Sequence, residues 1–318
     1  MTSPADDPTP GPRVGGVIYL NSRPLIEGLR ADLAERGRLT LDHPSRLAEG
    51  LRAGAYDAAL VPSVAALGTP GASILSDACV AARGPVRSVK LYFRVPPADV
   101  RSLALDEGSR TSAALARLLL AERFGIRPAL QSLPVGPVPA PHAAADTVAQ
   151  TDADAILLIG DRAMVDPVDD RTRRPFAAVW DLGETWNAWT GLPFVFAVWA
   201  SRPDLDPRTA AELADRFSRS RDEGVADLDR IAASAGRPLG LTPDDAADYL
   251  RRNLHFTLGP AERAGLELFC ELCERNELLP RGTRPSYAPA RVRSPDNRPA
   301  PPQQPARAFA PDLLQVTR

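Results

Sequence analysis

A chain of 318 residues, 44% hydrophobic and 25% charged, is too long for one small core and suits two lobes of ordinary domain size with a cleft between them. No apolar run is long enough to span a bilayer, which excludes a helical membrane protein. A formal net charge of −2 without a long basic stripe gives no electrostatic footprint for nucleic acid, so the expected partner is a small molecule.

The opening "MTSPADDPTPGP" has no basic start, apolar stretch or small-residue cleavage site, and the expected location is therefore the cytoplasm. Residues 1–12 and 282–318 are rich in Pro, Arg, Ala and Ser; such segments bury too little apolar surface to offset ordering, and both are expected to be disordered tails. Between them "VGGVIYL" reads as a strand, "RPLIEGLRADLAERG" as a helix, "LTLDHP" as a strand, "SRLAEGLRAG" as a helix and "YDAALVPS" as a strand. Alternation of this kind predicts a mostly parallel sheet covered by helices.

"VRSVKLYFRV" reads as a longer strand, after which "SLALDEG", a helix over 111–124, "ALQSLPV" and "ADAILLIGD" repeat the alternation. The apolar "PFVFAVWAS" follows, and from about 207 the pattern is helical with no further clear strand. The expected architecture is α/β and two-lobed, with crossings at about 89–95 and 194–200. Lobe one then comprises 13–93 plus 196–281, and lobe two 94–195.

In open α/β sheets ligands sit beyond the carboxyl ends of the strands. Those ends are "YLNSRP", "LVPS", "DEGSRTS" and "LIGDRA", joined by "RSVK". In "DEGSRTS" a helix opening supplies free backbone N–H groups and a positive dipole end, and Arg110 adds a potential clamp; Ser109, Arg110, Thr111 and Ser112 are read as an anion cradle rather than simple capping. Asn21 suits a ligand hydroxyl or carboxylate, or else turn chemistry. Ser63 and Ser88 gain meaning only from the shared rim. Gly160 permits close backbone approach, and Asp161 either orients a ligand or pairs with Arg162. Three of the four tryptophans lie between 186 and 199, where packing of the hinge outweighs walling of a pocket.

The three cysteines do not make a disulfide framework, and "CELC" at 270–273 has metal spacing but only two ligands inside a helical pattern. The three histidines are scattered, and no metal site or His-based triad is indicated.

"YLNSRPL", "DAALVPS", "VRSVKLYF", "SLALDEGSRTSAAL", "LLIGDRAM" and "DLGETWNAWTGLPFVFAVWA" together resemble the chorismate dehydratase family of the futalosine route to menaquinone. The resemblance spans about residues 14–280. It implies a periplasmic-binding-protein-like fold of the second type and a hydro-lyase using neither metal nor organic cofactor, which removes water from chorismate to give 3-[(1-carboxyvinyl)oxy]benzoate. By motif it further implies that Asn21 and Ser88 face the reacting ring, that Ser109, Arg110, Thr111 and Ser112 hold carboxylate, and that Ser63, Gly160, Asp161, Thr190 and Gly191 belong to the substrate site. Two alternatives stay open: a non-catalytic receptor for small carboxylates on the same fold, and the related synthase that forms dihydroxynaphthoate. The sequence leaves the oligomeric state open.

Overall fold

The computed structural model describes residues 11–30, 33, 37–134, 143–167 and 175–288. In chain order the elements are β1 (Val14–Val17), α1 (Arg23–Leu29), β2 (Leu39–Asp42), α2 (Pro44–Arg52), β3 (Ala58–Pro62), α3 (Ser63–Leu67), β4 (Ile74–Ala82) and β5 (Val89–Phe93). Then come β6 (Ser102–Asp106), α4 (Thr111–Phe124), β7 (Ala129–Leu133), α5 (Ala143–Ala149), β8 (Ala155–Ile159), β9 (Ala178–Asp181) and α6 (Leu182–Thr190). The chain closes with β10 (Phe194–Ser201), α7 (Pro207–Ala226), α8 (Leu228–Gly236), α9 (Pro243–Asp248), a π-helical turn (Tyr249–Asn253), β11 (His255–Thr257) and α10 (Pro260–Arg275).

Two sheets form two lobes. The first has the order β11-β4-β10-β3-β1-β2 and the second β7-β6-β8-β5-β9. β1 runs parallel to β2 and β3, and β6 parallel to β7 and β8, as strand–helix–strand units require. The strands next to the passages between lobes pair antiparallel, β10 against β3 and β4 and β5 against β8 and β9, and β11 adds an antiparallel edge on β4.

This topology moves the expected crossings. β5 hydrogen-bonds only within the second sheet, so 89–93 belongs to lobe two and the chain passes over in 83–88. β10 lies wholly in the first sheet, which puts the return in 191–193. A buried apolar run such as "KLYF" or "FVFAVW" identifies a strand without identifying its sheet. Two strands of the first sheet escape periodicity altogether: β4 is buried along nearly its whole length, which erases alternation, and β11 has three residues.

Proline starts and glycine stops shape the helices. Pro24 and Pro44 open α1 and α2, and α4 ends on Gly125 in the left-handed conformation, φ 68°. A smaller apolar cluster gathers around Tyr92, Ile156 and Leu158 in lobe two, and the larger core runs through both lobes, because α4 buries Leu115, Leu118 and Leu119 against it. The tryptophans serve this core. Trp186 packs edge-on against Phe194 and Phe269, and Trp199 stacks on Phe217 with ring centroids 3.9 Å apart.

Cys270 and Cys273 are buried on α10, with burial pushing their thiols up to about 11 and about 12, so both are protonated packing residues at neutral pH. The expected tails largely lie outside the described residues. The C-terminal boundary shifts, however: Ser286 O accepts from Ile74 N at 2.7 Å and Ala288 N donates to Ile74 O at 2.9 Å, so 282–288 is built onto the start of β4.

Candidate active site

The lobes flank a half-open cleft lined from both sheets. Its apolar wall includes Val17, Val80, Val86, Ile159 and Phe196, and its polar groups come from the end of β1, the crossing segment and the start of α4. Among the described residues lining it there is no Asp, Glu or His.

Asn21 follows β1 and lines the cleft. The Ser22 hydroxyl lies beside the amide, with Asn21 Oδ1 and Tyr19 O at 3.1 Å and Val17 O at 3.2 Å as acceptors for its single proton. Opposite, Ser88 sits at the end of the crossing segment, is buried, and its Oγ makes no well-formed hydrogen bond. A buried hydroxyl in that state calls for a partner. The Tyr249 phenol, from the π-helical turn of lobe one, interacts with both Ser88 and Asn21; burial pushes it well above the ordinary tyrosine range, so it stays protonated. Neither Tyr249 nor Tyr19 was singled out by sequence. Tyr249 is 161 positions from Ser88, and no local pattern marks it.

The loop before α4 is rigid because Asp106, fully buried, accepts from Gly108 N at 2.9 Å and Arg162 Nε at 2.9 Å, with Ile159 N at 3.3 Å. Arg162 therefore pairs with Asp106, not with Asp161 as one reading of "GDRA" had it. α4 has no side-chain cap, and Ser109, Arg110, Thr111 and Ser112 all line the cleft. Its first N–H groups lack intrahelical partners by construction, so the helix opening points its positive end at the cavity. The Thr111 hydroxyl is occupied, however, accepting from Val64 N at 3.2 Å and lying 3.3 Å from Ser63 Oγ. Arg110 Nη2 meets Glu49 Oε1 across the mouth at 2.6 Å, both side chains being well exposed.

Gly160 lines the cleft with φ 66° and donates its N–H to Ser88 O at 2.8 Å; a Cβ there would come within 2.9 Å of the Tyr19 ring. The Tyr19 phenol in turn lies 3.1 Å from His43 Nδ1. Asp161 does not line the cleft. It latches the lobes, with Oδ1 accepting from Leu20 N at 2.9 Å, and burial pushes its carboxyl up to about 6.

Three more expected residues lie outside the lining. Ser63 Oγ donates to Val195 O at 2.7 Å, so its hydroxyl is consumed at the base of α3. Thr190 Oγ1 donates to Trp186 O at 2.9 Å, and Gly191 terminates α6 in the left-handed conformation, φ 72°. Both finish α6.

Comparison with known proteins places this geometry. The family model described as menaquinone biosynthesis matches residues 12–275. The chorismate dehydratase of Thermus thermophilus is 32% identical over 265 residues, covering 80% of this chain and 92% of that protein. Among solved structures, a protein from Archaeoglobus fulgidus superposes with TM-score 0.65 at 16% identity, covering 85% of this chain and 99% of that one. The periplasmic aliphatic sulphonate binding protein of Escherichia coli does so with TM-score 0.54 at 15% identity, covering 92% and 98%. The structural likenesses establish the fold, that of a two-lobed periplasmic-type binding protein.

Proposed function

The chain belongs to the menaquinone-biosynthesis family, and we propose that its cleft is the active site of a chorismate dehydratase, a hydro-lyase that converts chorismate to 3-[(1-carboxyvinyl)oxy]benzoate in the cytoplasm. The observation that carries this reading is the uncapped start of α4 opening into an apolar cleft beside Ser88 and Asn21. Chorismate is a dicarboxylate on a cyclohexadiene ring. The helix opening and Arg110 suit a carboxylate, and the valine, isoleucine and phenylalanine wall suits the ring.

Elimination removes the proton from the ring carbon bearing the enolpyruvyl ether and expels the neighbouring hydroxyl; the ring becomes aromatic, which supplies a large driving force. What the protein must add is a fixed reactive conformer, a hydrogen-bond donor for the departing hydroxyl and a base of modest strength. The Ser88 hydroxyl, buried and without a well-formed partner, is placed to serve as donor. The lining contains no side-chain carboxylate or imidazole among the described residues. The enolpyruvyl carboxylate of the substrate, steered by Asn21, is therefore the proton acceptor in this scheme. No metal or organic cofactor enters it.

The test is direct. Purified protein is mixed with chorismate and the products are separated by liquid chromatography with mass and ultraviolet detection. A product lighter by one water with an aromatic spectrum is expected. Unchanged chorismate from folded protein overturns the assignment, and stabilisation by a panel of small carboxylates would then favour a receptor.

A further inference from the structure

Asp181, the last residue of β9, does not line the cleft, yet its carboxylate gathers four backbone N–H groups. Oδ1 accepts from Val86 N at 2.9 Å, Gly183 N at 3.0 Å and Glu184 N at 3.1 Å, and Oδ2 accepts from Arg87 N at 2.6 Å. Two of these bonds cap α6. The other two grip the crossing segment immediately before Ser88. Capping alone needs only the first pair.

The grip acts on an unusual backbone. Arg87 has φ 61°, the left-handed region that residues with a side chain seldom occupy, and such conformations persist only where the surroundings over-determine them. Here the surroundings are specific. Gly183 brings α6 so close that a Cβ would lie 2.6 Å from Gly84 O, and Asn253 Nδ2 holds Pro85 O at 2.8 Å from lobe one. Across Arg87 the turn is closed by Ser88 N donating to Val86 O at 2.7 Å, and Gly160 N then donates to Ser88 O at 2.8 Å. Residues 85–88 are thus pinned at each position, and the outcome is a Ser88 hydroxyl held in the cleft without a well-formed partner.

We propose that Asp181 is a positioning residue for the dehydration: by holding Val86 and Arg87 it keeps the left-handed turn that aims Ser88 Oγ at the departing hydroxyl. The proposal rests on the reading of Ser88 as the donor. Loss of the grip lets the turn relax toward an ordinary conformation and swings Ser88 away, while the helix opening that binds carboxylate is untouched.

The experiment compares kcat, KM for chorismate and thermal unfolding in four variants of the full chain. Ser88→Ala tests the donor itself. Asp181→Ser retains a hydroxyl cap for α6 but is too short to hold both Val86 and Arg87. Asp181→Asn keeps one oxygen and loses the acceptor for Arg87 N, so it stays folded should the serine variant not. Arg87→Gly placed in the Asp181→Ser background restores intrinsic access to φ above zero. The expected result is a kcat lowered roughly 10-fold to 100-fold in both Asp181 variants, as misplacement of a reacting group by about 1 Å produces, with KM changed by less than about threefold, and partial recovery of kcat in the Arg87→Gly double variant. A purely structural role predicts loss of folded protein without a kcat–KM split and without that recovery. Wild-type kcat in Asp181→Ser, beside a crippled Ser88→Ala, overturns the proposal alone. Wild-type kcat in Ser88→Ala removes the donor reading and the proposal with it.

Discussion

Exchanging Asp161 for asparagine isolates the electrostatics of the latch between the lobes. The carboxyl is 5% exposed, and Leu20 N donates to it at 2.9 Å. Burial, only partly offset by that bond and by Arg23, raises it from 3.8 to about 6. A difference of that size corresponds to about 3 kcal/mol between the two protonation states. Because the folded value is the higher one, the group's contribution is fully present below the ordinary aspartate value and is lost as pH rises through about 6. The amide keeps an oxygen for Leu20 N and carries no charge. Asp161→Asn should therefore be more stable than the parent above pH 6, by up to about 3 kcal/mol less roughly 1 kcal/mol for an amide N–H₂ group without acceptors. The advantage should vanish as pH falls and give way to a deficit of up to roughly 1 kcal/mol near and below pH 4. Urea unfolding of both proteins at intervals from pH 4 to 8 measures it. A difference that does not vary with pH would refute the reasoning, since it would mean that the carboxyl titrates alike in the folded and unfolded chain.

Ser88→Ala should lower kcat by about 10²-fold or more, the scale of losing one donor to a developing oxyanion, while unfolding temperature stays close to wild type because Ser88 Oγ has no well-formed bond to lose; steady-state kinetics and calorimetry read the two. Arg110→Ala should raise KM for chorismate and barely alter stability, since its ion pair with the exposed Glu49 contributes under about 1 kcal/mol; an unchanged KM would assign carboxylate binding to the helix opening alone. Gly160→Ala should lose about 2 kcal/mol or more from a left-handed alanine and overpacking against Tyr19, visible as a lower urea midpoint together with reduced turnover.

Local chemistry made part of this protein readable from sequence. "YLNSRP" and "DEGSRTS" reach the cleft because parallel strands bring their carboxyl ends to one side of a sheet, and "RSVK" joins them because β5 runs antiparallel to β8, which sets its amino end beside the carboxyl end of β8. α4 is legible because its run of helix-forming Ala, Leu, Arg and Glu residues and its Gly125 stop are both local. What escaped depends on partners distant in sequence. Nothing near Ser63 says that Val195 O will consume its hydroxyl. Nothing near "GDRA" says that Arg162 will choose Asp106 over its neighbour, leaving Asp161 to Leu20. The resemblance puts Thr190 and Gly191 in the substrate site, and nothing near "WTGLP" says that the two close α6. Tyr249 reaches Ser88 and Asn21 only through the return of the chain to lobe one.

A receptor of this architecture needs only a complementary cavity, whereas a dehydratase needs groups fixed before the substrate arrives. The structure invests in the second. Asp106 pins the loop before α4, Asp181 pins the turn before Ser88, Ser22 backs the Asn21 amide, and Asp161 ties Leu20, beside Asn21, to the opposite lobe. Three of those pins are buried or half-buried carboxylates directed at backbone N–H groups, not at the cleft. The acidic side chains near the site are thus spent on holding backbone, and in our scheme the carboxylate that takes the proton arrives with the substrate. That division explains how a cleft without a lining Asp, Glu or His can serve an elimination: preorganised hydrogen bonds stabilise the departing hydroxyl, aromatisation drives the step, and a weak base held in contact suffices. An analogue lacking the enolpyruvyl carboxylate should accordingly bind through its ring carboxylate and remain undehydrated; normal turnover of that analogue would require a base from the protein and would refute the division.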